Sequence, residues 1–291
     1  MATAPGRRNS VRLANLGGRA IAIEADGRYV DLAESSGGRI PSDPMAALGL
    51  LPYLTDRVQI PEDAPRVDPA MLDAPVPRPS KILGAGVNYH DHAAETKIAV
   101  PSEPVLFAKL PSAVTSAYSD IVLGAQGAVD WEAEIVVVIG RDGRNIPEAD
   151  AWSYVAGLTI GQDISDRPEQ FRDFAQFTIG KSFDTYAPIG PWIVTPDEFA
   201  APDDIAIRCM LNGEEVQRGR TSQCIFSVAE LVSWTSRACT LKVGDLIFTG
   251  TPPGVGYSRT PARFLADGDV LETVVEGIGA MRNVCRIGVA V

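Results

Sequence analysis

The chain is poor in histidine, with only His90 and His92 among its 291 residues. Imidazole chemistry is therefore confined to one short segment. Its four cysteines, Cys209, Cys224, Cys239 and Cys285, include no C-x-x-C pair. That spacing disfavours both a zinc cluster and a disulfide framework, so free thiols in a reducing cytoplasm are expected. Long apolar runs are absent too, which argues against a membrane-spanning helix. Met1 to Ser10 carries Arg7 and Arg8 without a following apolar stretch, so no secretory leader is expected. Positive charge is in deficit, with 26 Lys and Arg against 37 Asp and Glu and a formal net charge of −11. A field of that sign repels polyanions, so no nucleic-acid partner is expected. An anionic small molecule remains compatible, because a bound cation reverses the sign of one site.

The chain does hold ample apolar material. A hydrophobic fraction of 45% is enough for a sizeable core and argues against disorder. Ala20–Ile23 and Tyr29–Leu32 flank Asp26-Gly27, a hairpin signal. Prolines crowd residues 61 to 79, too densely for a helix or a central strand. The organisation expected is a small, mainly β N-terminal domain over 1–72, a proline-rich linker over 73–79 and a main domain over 80–291. Within the main domain, strand-like runs rich in Val and Ile recur at 81–84, 134–139, 192–195, 205–211, 246–249 and 270–275. Helices are expected at 148–155 and 228–238. Strands interrupted by a few helices predict an α+β fold and not an alternating doubly wound sheet.

Acidic residues cluster where strands begin and end. Asp130-Trp131-Glu132-Ala133-Glu134 runs into Ile135–Ile139. Residues i and i+2 of a strand share a face, so Glu132 and Glu134 present two carboxylates side by side. Their repulsion is relieved by a hard divalent cation; the alternative is a solvated edge strand. Asp163 closes the apolar run 154–160 and offers a third oxygen ligand, or alternatively a turn or N-cap. All-oxygen ligands suit Mg²⁺ or Mn²⁺ better than Zn²⁺. His92 and Glu95 share one helical turn, and a carboxylate beside an imidazole makes a general base. The competing reading is a surface helix start capped by Asn88. Gly84-x-Gly86 lacks the third glycine of a dinucleotide fingerprint, since Tyr89 occupies that position. Lys181 is placed to bind a carboxylate or an oxyanion, and Thr251, within Gly250–Gly256, to contact a carboxylate. A solvated lysine and a rigid turn are the alternatives.

Taken in order, these segments resemble the fumarylacetoacetate hydrolase family. The matching pieces are Gly86-Val87-Asn88-Tyr89 with His92 and Glu95, Phe107-Ala108-Lys109, Asp130–Glu134, Ala156-Gly157 through Asp163 to Arg167, Gly180–Asp184, Gly190-Pro191-Trp192, Gly250–Gly256, and Glu276–Gly279 with Arg282-Asn283. The resemblance covers about residue 80 onward. It implies a mixed β-sandwich roll and a homodimer. It also implies a Mg²⁺ or Mn²⁺ site on Glu132, Glu134 and Asp163, a water-activating His92–Glu95 dyad, and substrate contacts from Lys181, Thr251 and Arg167. Trp131, Gln162 and Asp166 depart from the family's usual Tyr, Asn and Ala, which bears on substrate choice more than on chemistry.

The reaction expected is hydrolysis of a carbon–carbon bond in a 1,3-dicarbonyl compound, a 2,4-dioxo acid of acylpyruvate type. The cation polarises the substrate and His92 activates water. Decarboxylation of an oxaloacetate-like acid and isomerisation of a 2-hydroxy-dienoate use the same site, so the fold alone does not choose. A reading of another class is a catalytically silent ligand-binding protein.

Overall fold

The computed structural model describes residues 12–51, 58–124 and 127–288. Arg7, Arg8 and the start of the chain lie outside the described residues. The strands are β1 (Arg12–Leu16), β2 (Arg19–Ile23), β3 (Tyr29–Asp31), β4 (Ile82–Gly86), β5 (Val105–Lys109), β6 (Val114–Ser116), β7 (Ile121–Leu123), β8 (Val129–Asp130) and β9 (Ala133–Ile139). They continue with β10 (Val155–Gln162), β11 (Ser165–Asp166), β12 (Ala187–Val194), β13 (Ala206–Leu211), β14 (Glu214–Arg220), β15 (Leu246–Phe248), β16 (Val270–Val275) and β17 (Gly279–Ile287). The helices are short: α1 (Leu32–Ser35), α2 (Pro44–Leu48), α3 (His90–Thr96), α4 (Arg167–Gln170), α5 (Phe177–Gly180) and α6 (Val228–Ala238). The fold is α+β, built mostly of mixed sheet.

A ten-stranded sheet runs β3-β2-β1-β12-β10-β9-β15-β4-β5, with β6 joining β12. A five-stranded sheet runs β14-β13-β16-β17-β7. One core lies between them, where Ile135, Val137 and Ile139 of β9 meet Ile207, Leu211 and Leu271. A second core covers the opposite face of the large sheet, where Val136 and Val138 meet Leu32, Leu48 and Val76. Both faces of β9 are thus buried, which is why it reads as an unbroken Ile/Val run. A strand so enclosed is a rigid base for the carboxylates at its start.

The N-terminal strands extend this large sheet, because β1 pairs with β12 through Leu13↔Ile193. The hairpin between β2 and β3 turns at Gly27 with φ +85°, a value that side-chain-bearing residues avoid. Residues 73–79 contain no helix or strand, yet Ala74 and Val76 are buried in the second core. Helix α6 forms over the expected residues, with a capping box between Ser227 and Glu230. Residues 148–154 form a 3-10 helix instead of the expected α-helix. They follow Pro147 without a side-chain cap and give way at Val155 to β10.

Candidate active site

Backbone pairing brings the three acids together. Glu132 lies one residue ahead of β9, Glu134 is inside it opposite Gly161 of β10, and Asp163 follows β10. The Asp163 amide donates to the Glu132 carbonyl at 2.8 Å, which fixes the two strand ends against each other. Carboxylate oxygens of Glu132, Glu134 and Asp163 then lie within 4.8 Å of one another, all buried.

Buried cations surround this trio. Lys181 Nζ, at the end of α5, donates to Glu132 Oε2 at 2.7 Å, Asp163 Oδ2 at 2.6 Å and Ser165 Oγ at 2.9 Å. Lys109 Nζ, at the end of β5, donates to Asp163 Oδ1 at 2.6 Å. Arg167 grips Asp130 Oδ2 through Nε and Nη2 at 2.9 and 2.7 Å and reaches Glu132 Oε1 at 2.7 Å. Burial opposes the charge of Glu132, but Lys181 and Arg167 outweigh it and hold the carboxyl below its ordinary range. Burial likewise opposes the charge of Lys181, and Asp163 and Glu132 reverse the balance and raise its pKa. Glu134 lacks such a partner. Burial, then Asp163 and Glu132, push its carboxyl well above the ordinary range, although the Gly250 amide donates to it at 2.6 Å.

This pattern fits a divalent metal. Counted formally as charged, four buried carboxyls (Asp130, Glu132, Glu134 and Asp163) exceed three buried cations (Lys109, Lys181 and Arg167) by one negative charge, an excess that the raised pKa of Glu134 relieves until a cation binds. A bound dication inverts that excess to one positive charge, which a single substrate carboxylate balances. The donors are all oxygens, as Mg²⁺ and Mn²⁺ prefer.

His92 is buried and Glu95 half-buried on α3. His92 Nδ1 lies 2.9 Å from Glu95 Oε2. With Nδ1–H donating to Glu95, Nε2 carries the lone pair. Glu95 Oε1 accepts from the Gly254 amide at 2.9 Å. Burial raises the Glu95 carboxyl, but hydrogen bonds from His92, Ser258 and Gly254 more than offset it and lower its pKa. Gly254 sits at φ +110°, and a Cβ there would lie 2.0 Å from the Val216 carbonyl oxygen.

His92, Glu132, Glu134, Arg167, Lys181 and Thr251 all line one cavity of about 310 Å³. Thr251 donates its hydroxyl proton to the Ala133 carbonyl at 2.9 Å and accepts from Gln217 at 2.8 Å, so it fastens its loop to β9. Arg167 is fully engaged by Asp130, Glu132 and Gln170. Asn88 does not cap α3. The N-cap is Tyr89, without a side-chain bond, while the Asn88 amide bridges the backbone of Phe226 and Thr249. His90 is exposed. Sequence reasoning gave no role to Lys109 or Asp130. The available signals were a lysine ending the run Val105–Ala108 and an acid two residues before Glu132.

Residues 81–286 match the family model described as fumarylacetoacetate (FAA) hydrolase C-terminal. The chain belongs to this family. A human relative named oxaloacetate tautomerase FAHD2A, mitochondrial, is 44% identical over 221 residues, which cover 75% of this chain and 70% of the relative. The crystal structure of a 2-hydroxyhepta-2,4-diene-1,7-dioate isomerase from Mycobacterium marinum has a TM-score of 0.74 at 32% identity, covering 96% of this chain and 99% of that one. A maleylpyruvate hydrolase from a Sphingobium species, in complex with manganese(II) and pyruvate, has a TM-score of 0.76 at 26% identity, covering 96% and 100%. Relatives in the FAA hydrolase family thus carry tautomerase, isomerase and hydrolase names. All four cysteines of this chain are free, and no helix among the described residues is long and apolar enough to cross a membrane.

Proposed function

We propose that the protein is a metal-dependent enzyme of small 2-oxo acids and that its central step is proton transfer at the carbon next to the 2-oxo group, interconverting keto and enol forms. The observation that carries this reading is the shared cavity. His92, held by Glu95, opens onto the same space as Lys181 and the Glu132 and Glu134 members of the carboxylate trio. The 44% identity to an oxaloacetate tautomerase supports the same reaction class. Glu132, Glu134 and Asp163 would hold Mg²⁺ or Mn²⁺, which would supply Lewis-acid stabilisation of the enolate.

The chain's own residues supply the rest. Glu95 fixes the His92 ring, and Nε2 takes the proton from carbon 3 and delivers it to the oxygen on carbon 2, giving the enol, or carries it back to give the keto form. Lys181 holds the Glu132 and Asp163 carboxyls in place through direct hydrogen bonds and favours the charged form of Glu132. Glu132, Asp163 and Lys181 are themselves buried, which strengthens each electrostatic contact among them.

Hydrolysis is a second reading, favoured by the carboxylate-held imidazole, which equally serves a water nucleophile. In a 2,4-dioxo acid, His92 takes a proton from water, the oxygen adds to carbon 4, and the carbon 3–carbon 4 bond breaks. The products are pyruvate and a second acid. The manganese- and pyruvate-bound hydrolase neighbour supports this option. A homodimer in a reducing compartment belongs to the same proposal, and sedimentation velocity tests its assembly.

The deciding experiment follows a 2-oxo acid and a 2,4-dioxo acid by proton NMR in D₂O, first with Mg²⁺ and then with Mn²⁺ at trace level. Deuterium entering carbon 3 without cleavage supports the tautomerase reading, and release of pyruvate supports hydrolysis. If neither occurs with either metal, the enzyme reading fails and a silent binding protein is left.

A further inference from the structure

The cavity has a far end that the chemistry above does not use. Four aromatic rings form an arc around it. Centroids of Phe107 and Phe177 are 6.2 Å apart, those of Phe177 and Phe171 6.1 Å and edge-on, and those of Phe171 and Tyr257 5.8 Å. Both ends of the arc are anchored at the trio. Lys181 Nζ lies 4.8 Å from the Phe107 centroid, and the Arg167 guanidinium lies 4.4 Å from that of Tyr257. Ile98, Pro101 and Val105 continue the wall. Phe171, Phe177, Ile98 and Val105 are 51%, 38%, 49% and 55% exposed, so this apolar surface faces water until something covers it.

We propose that this wall receives the distal end of the substrate and selects 2-oxo acids ending in an uncharged apolar or aryl group over those ending in a second carboxylate, with Phe171 and Phe177 as the specificity-determining residues. The inference rests on the reading that a 2-oxo acid head binds at the trio. Two further observations carry it. The lysine and arginine among the lining residues, Lys181 and Arg167, are both ion-paired at the inner end. A distal carboxylate would therefore find no unpaired lysine or arginine among the lining residues to offset the water it sheds at the wall. The charge balance at the inner end also closes with one substrate carboxylate.

A matched pair tests the inference: 2-oxo-4-phenylbutanoate and 2-oxoglutarate share the head and a two-carbon spacer and differ only at the tail. Their affinities for the Mn²⁺-loaded protein are measured by calorimetry, with oxalate as a head-only probe. The phenyl compound is expected to bind at least about tenfold more tightly, which is about 1.4 kcal/mol. Phe171→Ala and Phe177→Ala should each shrink that ratio severalfold and leave oxalate affinity unchanged. Because Phe171 is half-exposed, its truncation spares the fold, and a thermal shift checks both variants. Oxalate binding with equal or tighter binding of 2-oxoglutarate, or an unaltered ratio in both variants, overturns this proposal alone. No binding of oxalate or of either 2-oxo acid overturns the head reading as well.

Discussion

The two ends of the cavity are built on opposite principles. At the inner end each carboxylate and cation is buried and held by partners at 2.6 to 2.9 Å. At the outer end the side chains are mostly apolar, partly exposed and joined by ring contacts, with cations only at the two end rings. Ion pairs in a low-dielectric setting have steep, specific geometry, whereas apolar contact depends mainly on area. The contrast implies that the inner end fixes the reaction and the outer end chooses the substrate. Substitutions at the inner end should change chemistry or metal binding, and those at the outer end should change only relative affinities.

The sharpest break is Glu132→Ala. It removes a ligand of the trio and a partner of both Lys181 and Arg167. Turnover should vanish and Mn²⁺ titration should show no binding. Asp163 and Asp130 still pair the two cations, so the fold should persist with a stability loss on the order of 1–3 kcal/mol. Wild-type turnover in this variant would refute the trio. His92→Ala comes next. General base catalysis is worth roughly 10²–10⁴-fold, so kcat should fall by about that factor while Mn²⁺ affinity holds. A smaller fall would hand the proton to another group.

Gly254→Ala probes the join between base and scaffold. The Cβ would collide with the Val216 carbonyl oxygen, so the loop must move and the amide that holds Glu95 moves with it. Strain of this kind costs about 1–3 kcal/mol. The expected result is a kcat loss smaller than that of His92→Ala, with KM for the 2-oxo acid little changed. A change in KM alone would mean that the loop serves binding and not the dyad.

Much of this division could be read from the amino-acid order, for local reasons. The trio was legible because strand periodicity places Glu132 and Glu134 on one face and a strand end presents Asp163. The His92–Glu95 pair followed from helical spacing and matches the 2.9 Å contact. The surrounding cations were harder to read, because Lys109 meets Asp163 54 residues away and Arg167 meets Asp130 37 residues away. Such pairings depend on sheet order, which local periodicity does not encode. The same holds for the N-terminal strands. Their alternation was plain, but their attachment to β12 rests on one long-range register. The aromatic arc is not legible in the sequence, because Phe107, Phe171, Phe177 and Tyr257 come from separate segments and no spacing shows that their rings meet.

The smallest expected effect concerns pH and sets Glu95, half-buried at the cavity, apart from the sealed trio. Its folded pKa lies below the ordinary 4.5, because hydrogen bonds from His92, Ser258 and Gly254 outweigh burial. A depressed carboxylate stabilises the fold fully above its unfolded pKa, and that contribution is lost as pH falls through the folded value. The docking of α3 should therefore hold at pH 6 and loosen progressively below about 4.5. Hydrogen exchange of the α3 amides measures this without relying on activity, which trio protonation would also alter. Wild type should lose protection on acidification, while Glu95→Gln should start lower at pH 6 and change little. If both proteins lost protection in parallel, the loosening would have to originate in the trio, and the two regions would be one titrating unit.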